Sequence, residues 1–551
     1  MMDFDAALML SDSGFSRFGT ADGVPNRVLW RFCGAVVAGV SMLLTALCWA
    51  PGVVAEELIG YEEIRAGLTG EDPDFSLHGD YRIRYVHLGE FPLDEMGTTD
   101  KQNDYAAHRL RVSPMVHFGH QWRIFAEVDL IDGIFGGEIS STGALAHERS
   151  DRELLHAWIN ERRGQKIDSA ELRHLYLEWK SDFGVLRVGQ MGSRWGMGLL
   201  ANDGARDRPF SDAKYGDVVE RVLFATAPIA AFSDDPDAKR FTVALGADLV
   251  YQDDNAVLRD GDVAFQGVLA LNYRFEEFLV GMYAAFRHQK DSDGDNLRVW
   301  AVDVAGDGSF DIGDGLKLRL AAEAVALFGT TDRVQFEGIP ASLDIRSFGG
   351  ALSSGVVYGS AGLDFGFEVG FASGDNHPSD GTLRSFSFDP DHTVGMILFE
   401  EALGRLSLRA ADRVADPSLS GTPPKGFEAL ATNGAVRNAF YVNPVVRFLP
   451  VAGLTMAVGF LWAMSPGEPA DAFLTAQRGG YPQNYLGGVG GKNYGYELDA
   501  SFEYAANAWD YFGVRVGAQA GLFVPGSAFE MAGGEIFDPV VKVRGLFDIF
   551  W

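Results

Sequence analysis

The sequence predicts an all-β protein, a transmembrane antiparallel β-barrel of about eighteen strands with in-folded extracellular loops. Three observations predict it. A single apolar run near the N-terminus has the form of an export signal. Two-residue alternation of apolar and polar side chains is the dominant pattern in the rest of the chain. The connections between alternating segments are by turns short and long.

The apolar run is Phe32 to Ala50, preceded by Arg27 and Arg31 and followed by Val53 and Ala55. A basic start, an apolar stretch and small residues at the −3 and −1 positions describe a secretory signal cleaved before Glu56. An uncleaved anchor is the alternative use of such a run. A lipoprotein signal built on Cys48 is disfavoured, because Leu47 stands where Gly, Ala or Ser is needed. Residues 1–26 are acidic and polar, fit no export signal, and are read as the product of an upstream start site. The expected division is therefore 1–55 as N-terminal extension and signal, 56–74 as a periplasmic lead-in, and 75–551 as barrel.

Both cysteines, Cys33 and Cys48, fall in the segment to be removed. A chain without thiols has no disulfide framework, thiolate metal site or cysteine nucleophile. The net charge is −30, and loss of residues 1–55 leaves −29. Such an acid excess excludes the basic footprint that nucleic acid requires. No further apolar run is long enough to span a bilayer as a helix. A membrane protein without such helices must close its strands into a barrel, because lipid cannot satisfy free backbone groups.

Alternation is the main signal. Tyr494, Tyr496, Leu498, Ala500, Phe502 and Tyr504 share one face, against Gly495, Glu497, Asp499, Ser501 and Glu503. Leu316, Leu318, Leu320, Ala322, Ala324, Ala326 and Phe328 oppose Lys317, Arg319 and Glu323. Val263–Phe275 and Phe512–Val524 repeat the pattern, with Gln266, Asn272, Arg274, Arg515 and Gln519 on the polar side. Charges on one parity and aromatics near the ends of the other describe a wet lumen face and a lipid face with aromatic girdles. A soluble β-sandwich also alternates, but rarely with so many long strands ending in aromatics.

Eighteen such segments are expected: 75–88, 105–119, 121–131, 171–180, 184–191, 217–227, 241–251, 262–275, 277–289, 296–304, 315–328, 344–358, 360–372, 437–449, 453–464, 493–505, 510–524 and 538–551. Connections after even-numbered segments are mostly short, and those after odd-numbered ones are often long, namely 89–104, 132–170, 192–216, 329–343, 373–436 and 465–492. Short periplasmic turns and long external loops are the outer-membrane rule. The last segment alternates Val541, Val543, Phe547, Ile549 and Trp551, resembling the C-terminal signature by which the barrel assembly machinery recognises outer-membrane barrels.

Arginine outnumbers lysine 36 to 10. Many arginines fall on the inward parity: Arg82, Arg84, Arg109, Arg111, Arg123, Arg187, Arg274, Arg287, Arg298, Arg319, Arg447, Arg515 and Arg544. Guanidinium offers a charged planar fork, so a ladder of them would guide an anionic solute. The competing reading pairs each with a lumenal acid such as Glu127, Glu178, Glu323, Asp364, Glu368, Glu497 or Asp499 and thereby stiffens a wide barrel. Three connections are too long to be passive turns, and the first of them, 192–216, carries both charge signs and much glycine. In 373–436 the apolar MILFEEAL stretch, which holds Phe399, is expected to pack inside the barrel mouth as a short helix and to narrow a pore. In 132–170 the stretch ELLHAWINERR places Leu154, Leu155, Trp158 and Ile159 on one helical face. An extracellular cap unrelated to transport is the other use of these loops. Asp291, Asp293, Asp295 and Asn296 resemble the start of a calcium loop, but residue 302 is Val where an acid is needed. An external acidic turn bridged to lipopolysaccharide through divalent ions is the blander reading.

The stretches HLYLEWKSDFGVLRVGQMGSRWGMGLL and FASGDNHPSDG with FDPDH resemble the alginate-export type of outer-membrane barrel and its relatives among large bacterial porins. The resemblance covers about a third of the chain and implies an 18-stranded passive conduit for a secreted polysaccharide. It further implies that Arg187 and Arg194 are lumenal binding groups and that Asp375, Asp389 and Asp391 shape a gating loop. The mature charge of −29 fits a neutral or amino-sugar polymer, or mixed small solutes, no worse than a polyuronate.

The expected function is an outer-membrane channel for polysaccharide, oligosaccharide or other hydrophilic solutes. A general diffusion porin and a plugged structural or surface-interaction barrel are its rivals. No nucleophile-elbow or HExxH motif occurs, so catalysis, a metal and a cofactor are not expected. Expected partners are outer-membrane lipid and lipopolysaccharide, the assembly machinery, and a periplasmic export component if the solute is a polymer.

Overall fold

The computed structural model describes residues 75–551 apart from 102, 140–169, 206–207, 213–215, 234, 335–341, 379, 421–430 and 510. The expected signal, the lead-in and the helical stretch within 153–163 lie outside the described residues.

Eighteen strands close into one antiparallel barrel among the described residues. The first six are β1 (Phe75–Leu88), β2 (Asn103–Phe118), β3 (Trp122–Ile139), β4 (Glu171–Ser181), β5 (Gly184–Gly192) and β6 (Val218–Thr226). Next come β7 (Phe241–Gln252), β8 (Val263–Arg274), β9 (Phe278–Lys290), β10 (Asn296–Gly313), β11 (Leu316–Thr331) and β12 (Leu343–Tyr358). The circuit ends with β13 (Leu363–Ala372), β14 (Ala439–Val451), β15 (Leu454–Met464), β16 (Asn493–Trp509), β17 (Phe512–Pro525) and β18 (Val540–Phe550). Each strand pairs with its neighbours in sequence. Closure comes from β18 against β1, with Asp80 opposite Phe550 and Leu88 opposite Lys542. Beyond β18, Gly79 and Trp551 exchange two backbone hydrogen bonds of 3.0 Å.

All eighteen expected segments are strands, and several run further than expected, two of them by eight or more residues. β3 continues to Ile139, and β10 continues through 305–313, where the sequence predicts a connection. Glycines at 306 and 308 weaken the alternation there. β10 instead ends in a two-residue turn, Asp314–Gly315, with both residues at positive φ (54° and 74°). This is the hairpin geometry that an Asp-Gly pair favours. The opposite deviation is 227–240, a long connection at the short-turn end that is shaped by two 3₁₀ turns starting at Pro228 and Pro236.

Outward side chains form an apolar band that includes Val302, Val304, Phe367, Val458 and Val516, all exposed. Aromatic pairs bound it at both ends. At the short-turn end Trp122 stacks on Trp179 at 5.6 Å, and Phe512 lies 6.3 Å from both Trp509 and Trp551. At the long-loop end Phe286 meets Trp300 at 4.7 Å and Phe348 meets Phe371 at 5.6 Å. A closed barrel with such a belt is the architecture of the bacterial outer membrane, where every backbone group is satisfied without water. Val304→Arg, in the middle of β10, is therefore expected to lower stability in vesicles by about 2–4 kcal/mol, measured by urea unfolding.

Two expected placements are corrected. Tyr494 was assigned to the outward face, but it is 2% exposed and faces in. A bulge between β15 and β16 shifts the register there, and Gly495 takes φ 106° to allow it. An extra residue in one strand flips the side-chain parity beyond it. Arg298 was assigned inward. On β10 the even positions face out, as exposed Trp300, Val302 and Val304 show, so Arg298 lies on the outer rim.

Candidate functional site

The lumen has three parts: a wall of ion pairs, two in-folded connections, and a vestibule between them and the opposite wall.

The ion-pair wall uses most of the arginines named from the sequence. Fully buried Asp548 on β18 is shared by Arg84 and Arg515, with Arg515 Nε donating at 2.6 Å and Arg84 Nη2 at 3.3 Å. Asp80 takes Arg82 at 3.1 Å and Arg109 at 3.3 Å. Arg111 grips Asp129 with two bonds of 2.7 Å. Glu178 accepts from Arg123 and Arg187, each at 2.7 Å. Arg319 reaches Asp364 at 2.6 Å, and Arg447 stands 4.0 Å from the same carboxylate. Charge-assisted pairs of this kind satisfy groups that could not otherwise be buried. The pairing reading therefore describes these arginines better than an open anion ladder does. Arg187, Arg319 and Arg447 keep a third or more of their side chains exposed. Arg274 is exposed at the short-turn rim, and Arg194 lies in the 193–217 connection 4.0 Å from Asp203.

The in-folded connections are held by wall carboxylates in a way the sequence did not suggest. Glu497 and Glu323 were expected to pair with arginines. Instead, Glu497 accepts the backbone N–H groups of Met396, Ile397 and Leu398, the last two at 2.8 and 2.7 Å. Gly395, at φ 72°, turns the chain so that these donors converge; a Cβ there would meet Glu497 Oε1 at 2.9 Å. Glu323 does the same for Met197 and, at 3.1 Å, Leu199. After the Glu497 cradle the chain forms one turn of π-helix, Leu398–Leu403, and then α1 (Gly404–Ala415). The MILFEEAL stretch is thus inside the barrel, as expected, and its Phe399 is 1% exposed against Tyr441.

Charged groups anchor this plug to the wall. Lys542 Nζ, on β18, contacts Glu401 at 2.6 Å, Glu400 at 3.2 Å and the Met396 carbonyl at 3.1 Å. Arg405 on α1 donates to Asp100 at 2.6 Å, Asn103 at 2.8 Å and Glu401 at 2.8 Å. Burial alone would raise the Glu401 carboxyl, but Lys542 and Arg405 outweigh it and hold it at about 2. The other connection enters with Asp212, which meets Arg84 at 2.9 Å and Arg82 at 3.4 Å. Burial opposes its charge, yet those guanidiniums keep its carboxyl well below the usual range. Arg208 then ties it to Glu368 at 2.7 Å and to the Thr393 carbonyl at 2.9 Å, so the two connections and the wall form one network.

The three acids expected to shape a gating loop make turns. Asp375 accepts from the N–H groups of His377 and Arg384, and Asp389 accepts from that of Asp391. Asp391 accepts the Gly216 N–H at 2.7 Å, joining one in-folded connection to the other. The acidic turn 291–295 is a tight hairpin in which Asp291 is bound by Arg333 at 2.6 Å. Among the described residues no group of three or more His, Cys, Asp or Glu has the geometry to hold a metal ion.

Between the plug and the wall of β8 to β12 lies a cavity of about 700 Å³, at the long-loop end. Nine carboxylates and three guanidiniums line it. Burial, with Asp253 and Asp254 nearby, pushes the Asp217 carboxyl well above the usual range; Arg287 and the Asn202 N–H offset this in part. Burial, with Asp254, Asp217 and Asp391, does the same to Asp389. Burial raises Asp471 to about 7. Asp217, Asp254, Asp471, Tyr283 and Tyr485 were not singled out from the sequence. The acid-rich stretch 253–262 was the available signal.

No protein-family model matches the sequence, and no curated protein matches it. Among solved structures the chain is similar to Acinetobacter baumannii OccAB2, with 11% identity, 87% of this chain and 98% of that one covered, and a TM-score of 0.46. It is also similar to Pseudomonas aeruginosa OpdL (10% identity, 87% and 98% covered, TM-score 0.45) and OccK5 (10%, 86% and 97%, 0.44). At this distance the functional reading rests on the geometry of the lumen itself.

Proposed function

We propose that the protein is a passive outer-membrane channel for small hydrophilic solutes. One observation carries this reading. Two connections fold into a wide barrel, bind its inner wall, and leave a vestibule of about 700 Å³ lined by both acidic and apolar side chains. That is the size of a small-molecule site, typically about 300–1,000 Å³. An eighteen-stranded barrel without such infolding holds a wide aqueous channel. A polysaccharide conduit, which the loop resemblance implies, needs a continuous passage for a chain. The anchored segment 396–415 stands in the way of one, so small solutes are favoured over polymer. Transport without catalysis is the role, with lipid against the apolar band and lipopolysaccharide at the external rim.

Swelling of proteoliposomes in sugars of graded size tests it. Swelling in arabinose and glucose but not in a tetrasaccharide is expected. Equal swelling with large oligosaccharides would favour the polymer conduit. No swelling in any sugar would contradict both.

A further inference from the structure

The vestibule has two features that point to one class of solute. Its lining is strongly unbalanced, with nine carboxylates against three guanidiniums. Arg287 offsets Asp253, Arg333 is bound to Asp291, which is outside the lining, and Arg437 interacts with Asp375 and Tyr485, so the carboxylates remain in excess. The second feature is independent of charge. Tyr283 on β9 and Tyr485 in the 465–492 connection are 6% and 8% exposed, and both line the cavity. Neither hydroxyl has a hydrogen-bond partner among the described residues. Buried phenols normally find one. Here both have an apolar ring wall, an oxygen able to accept, and carboxylates nearby.

We propose that the vestibule binds and selects solutes that carry a protonated amine. A cation entering the vestibule relieves the burial and like-charge repulsion that favour the neutral acids, so Asp217 and Asp389 ionise and with Asp254 supply the counter-charge, while the oxygens of Tyr283 and Tyr485 accept N–H bonds. An ammonium has three donors and no acceptor, which suits a lining of carboxylates and free phenol oxygens. The ring faces add cation–π attraction. Leu199, Leu403 and the other apolar liners would hold the carbon body. An anion would face the excess of carboxylates. The inference deepens the channel reading and rests on it, but the binding step is measurable without conduction.

The probes are cadaverine, a five-carbon diamine, and glutarate, a five-carbon dicarboxylate. Binding to the detergent-solubilised protein is measured by calorimetry. Current block and the reversal potential in a potassium chloride gradient are measured in planar bilayers. Cadaverine should bind and block at least about tenfold better than glutarate, the scale of one desolvated charge or cation–π contact. The channel should prefer cations. Asp217→Asn with Asp254→Asn should remove most of that preference, and Tyr283→Phe with Tyr485→Phe, which deletes only hydroxyls, should weaken cadaverine alone. Equal or tighter glutarate binding, or an open channel with no cation preference, would overturn the inference and leave the channel. Cadaverine binding with silent bilayers would support the site and refute the channel.

Discussion

Replacing Gly395–Asn433 by a short Gly-Ser linker is expected to raise single-channel conductance several-fold. This segment contains the three N–H donors of the Glu497 cradle, the π-helical turn and α1. It fills the lumen with apolar side chains, among them Ile397, Leu398, Phe399, Ala402, Leu403 and Leu406, all at most 2% exposed. What remains after its removal is a wall of charged and polar inward groups, including Glu497, Lys542, Arg544 and Glu368, which water can fill. Those groups lose plug partners but regain hydration, so the barrel should survive. Heat-modifiable migration on gels checks that it does. An unchanged conductance in a folded barrel would mean that the solute path avoids this segment.

Asp548→Ala is expected to produce the largest loss of stability of any single substitution on the wall. Its carboxylate is fully buried and bridges Arg84 from β1 and Arg515 from β17 across the closing seam. Alanine leaves two buried guanidiniums short of charge, and Arg84 keeps Asp212 and the Ile83 carbonyl. Breaking a buried pair in this way costs about 3–5 kcal/mol. Urea unfolding in vesicles, followed by tryptophan fluorescence, measures it. Asp307→Ala, at an exposed lumenal position on β10, should change stability by no more than about 0.5 kcal/mol. Equal effects at the two positions would show that burial of the Asp548 pair contributes nothing special.

The barrel was legible because alternation is a local property. Each strand carries its own inside and outside, so eighteen segments could be read one at a time. The errors arose where a local rule was interrupted. Small glycines hid the pattern in 305–313, a bulge at Tyr494 reversed parity, and Arg298 was assigned inward on a strand whose even positions face lipid. The lumen was far less legible. That arginines would meet acids was a reasonable expectation, but their partners are non-local: Arg84 and Asp548 are 464 residues apart. Nor does composition reveal that Glu497 and Glu323 serve backbone donors of a distant connection rather than guanidiniums. The vestibule combines Asp217, Asp254 and Asp389 from three separate loops with two tyrosines, and only the closed topology brings them together.

Single-channel recording of the unmodified protein in a planar bilayer tests the central claim most directly. The account predicts discrete current steps, linear in voltage, smaller than those of the variant lacking Gly395–Asn433. No steps from either protein, with both shown to be folded and inserted, would contradict it and leave a sealed barrel with a structural or surface role.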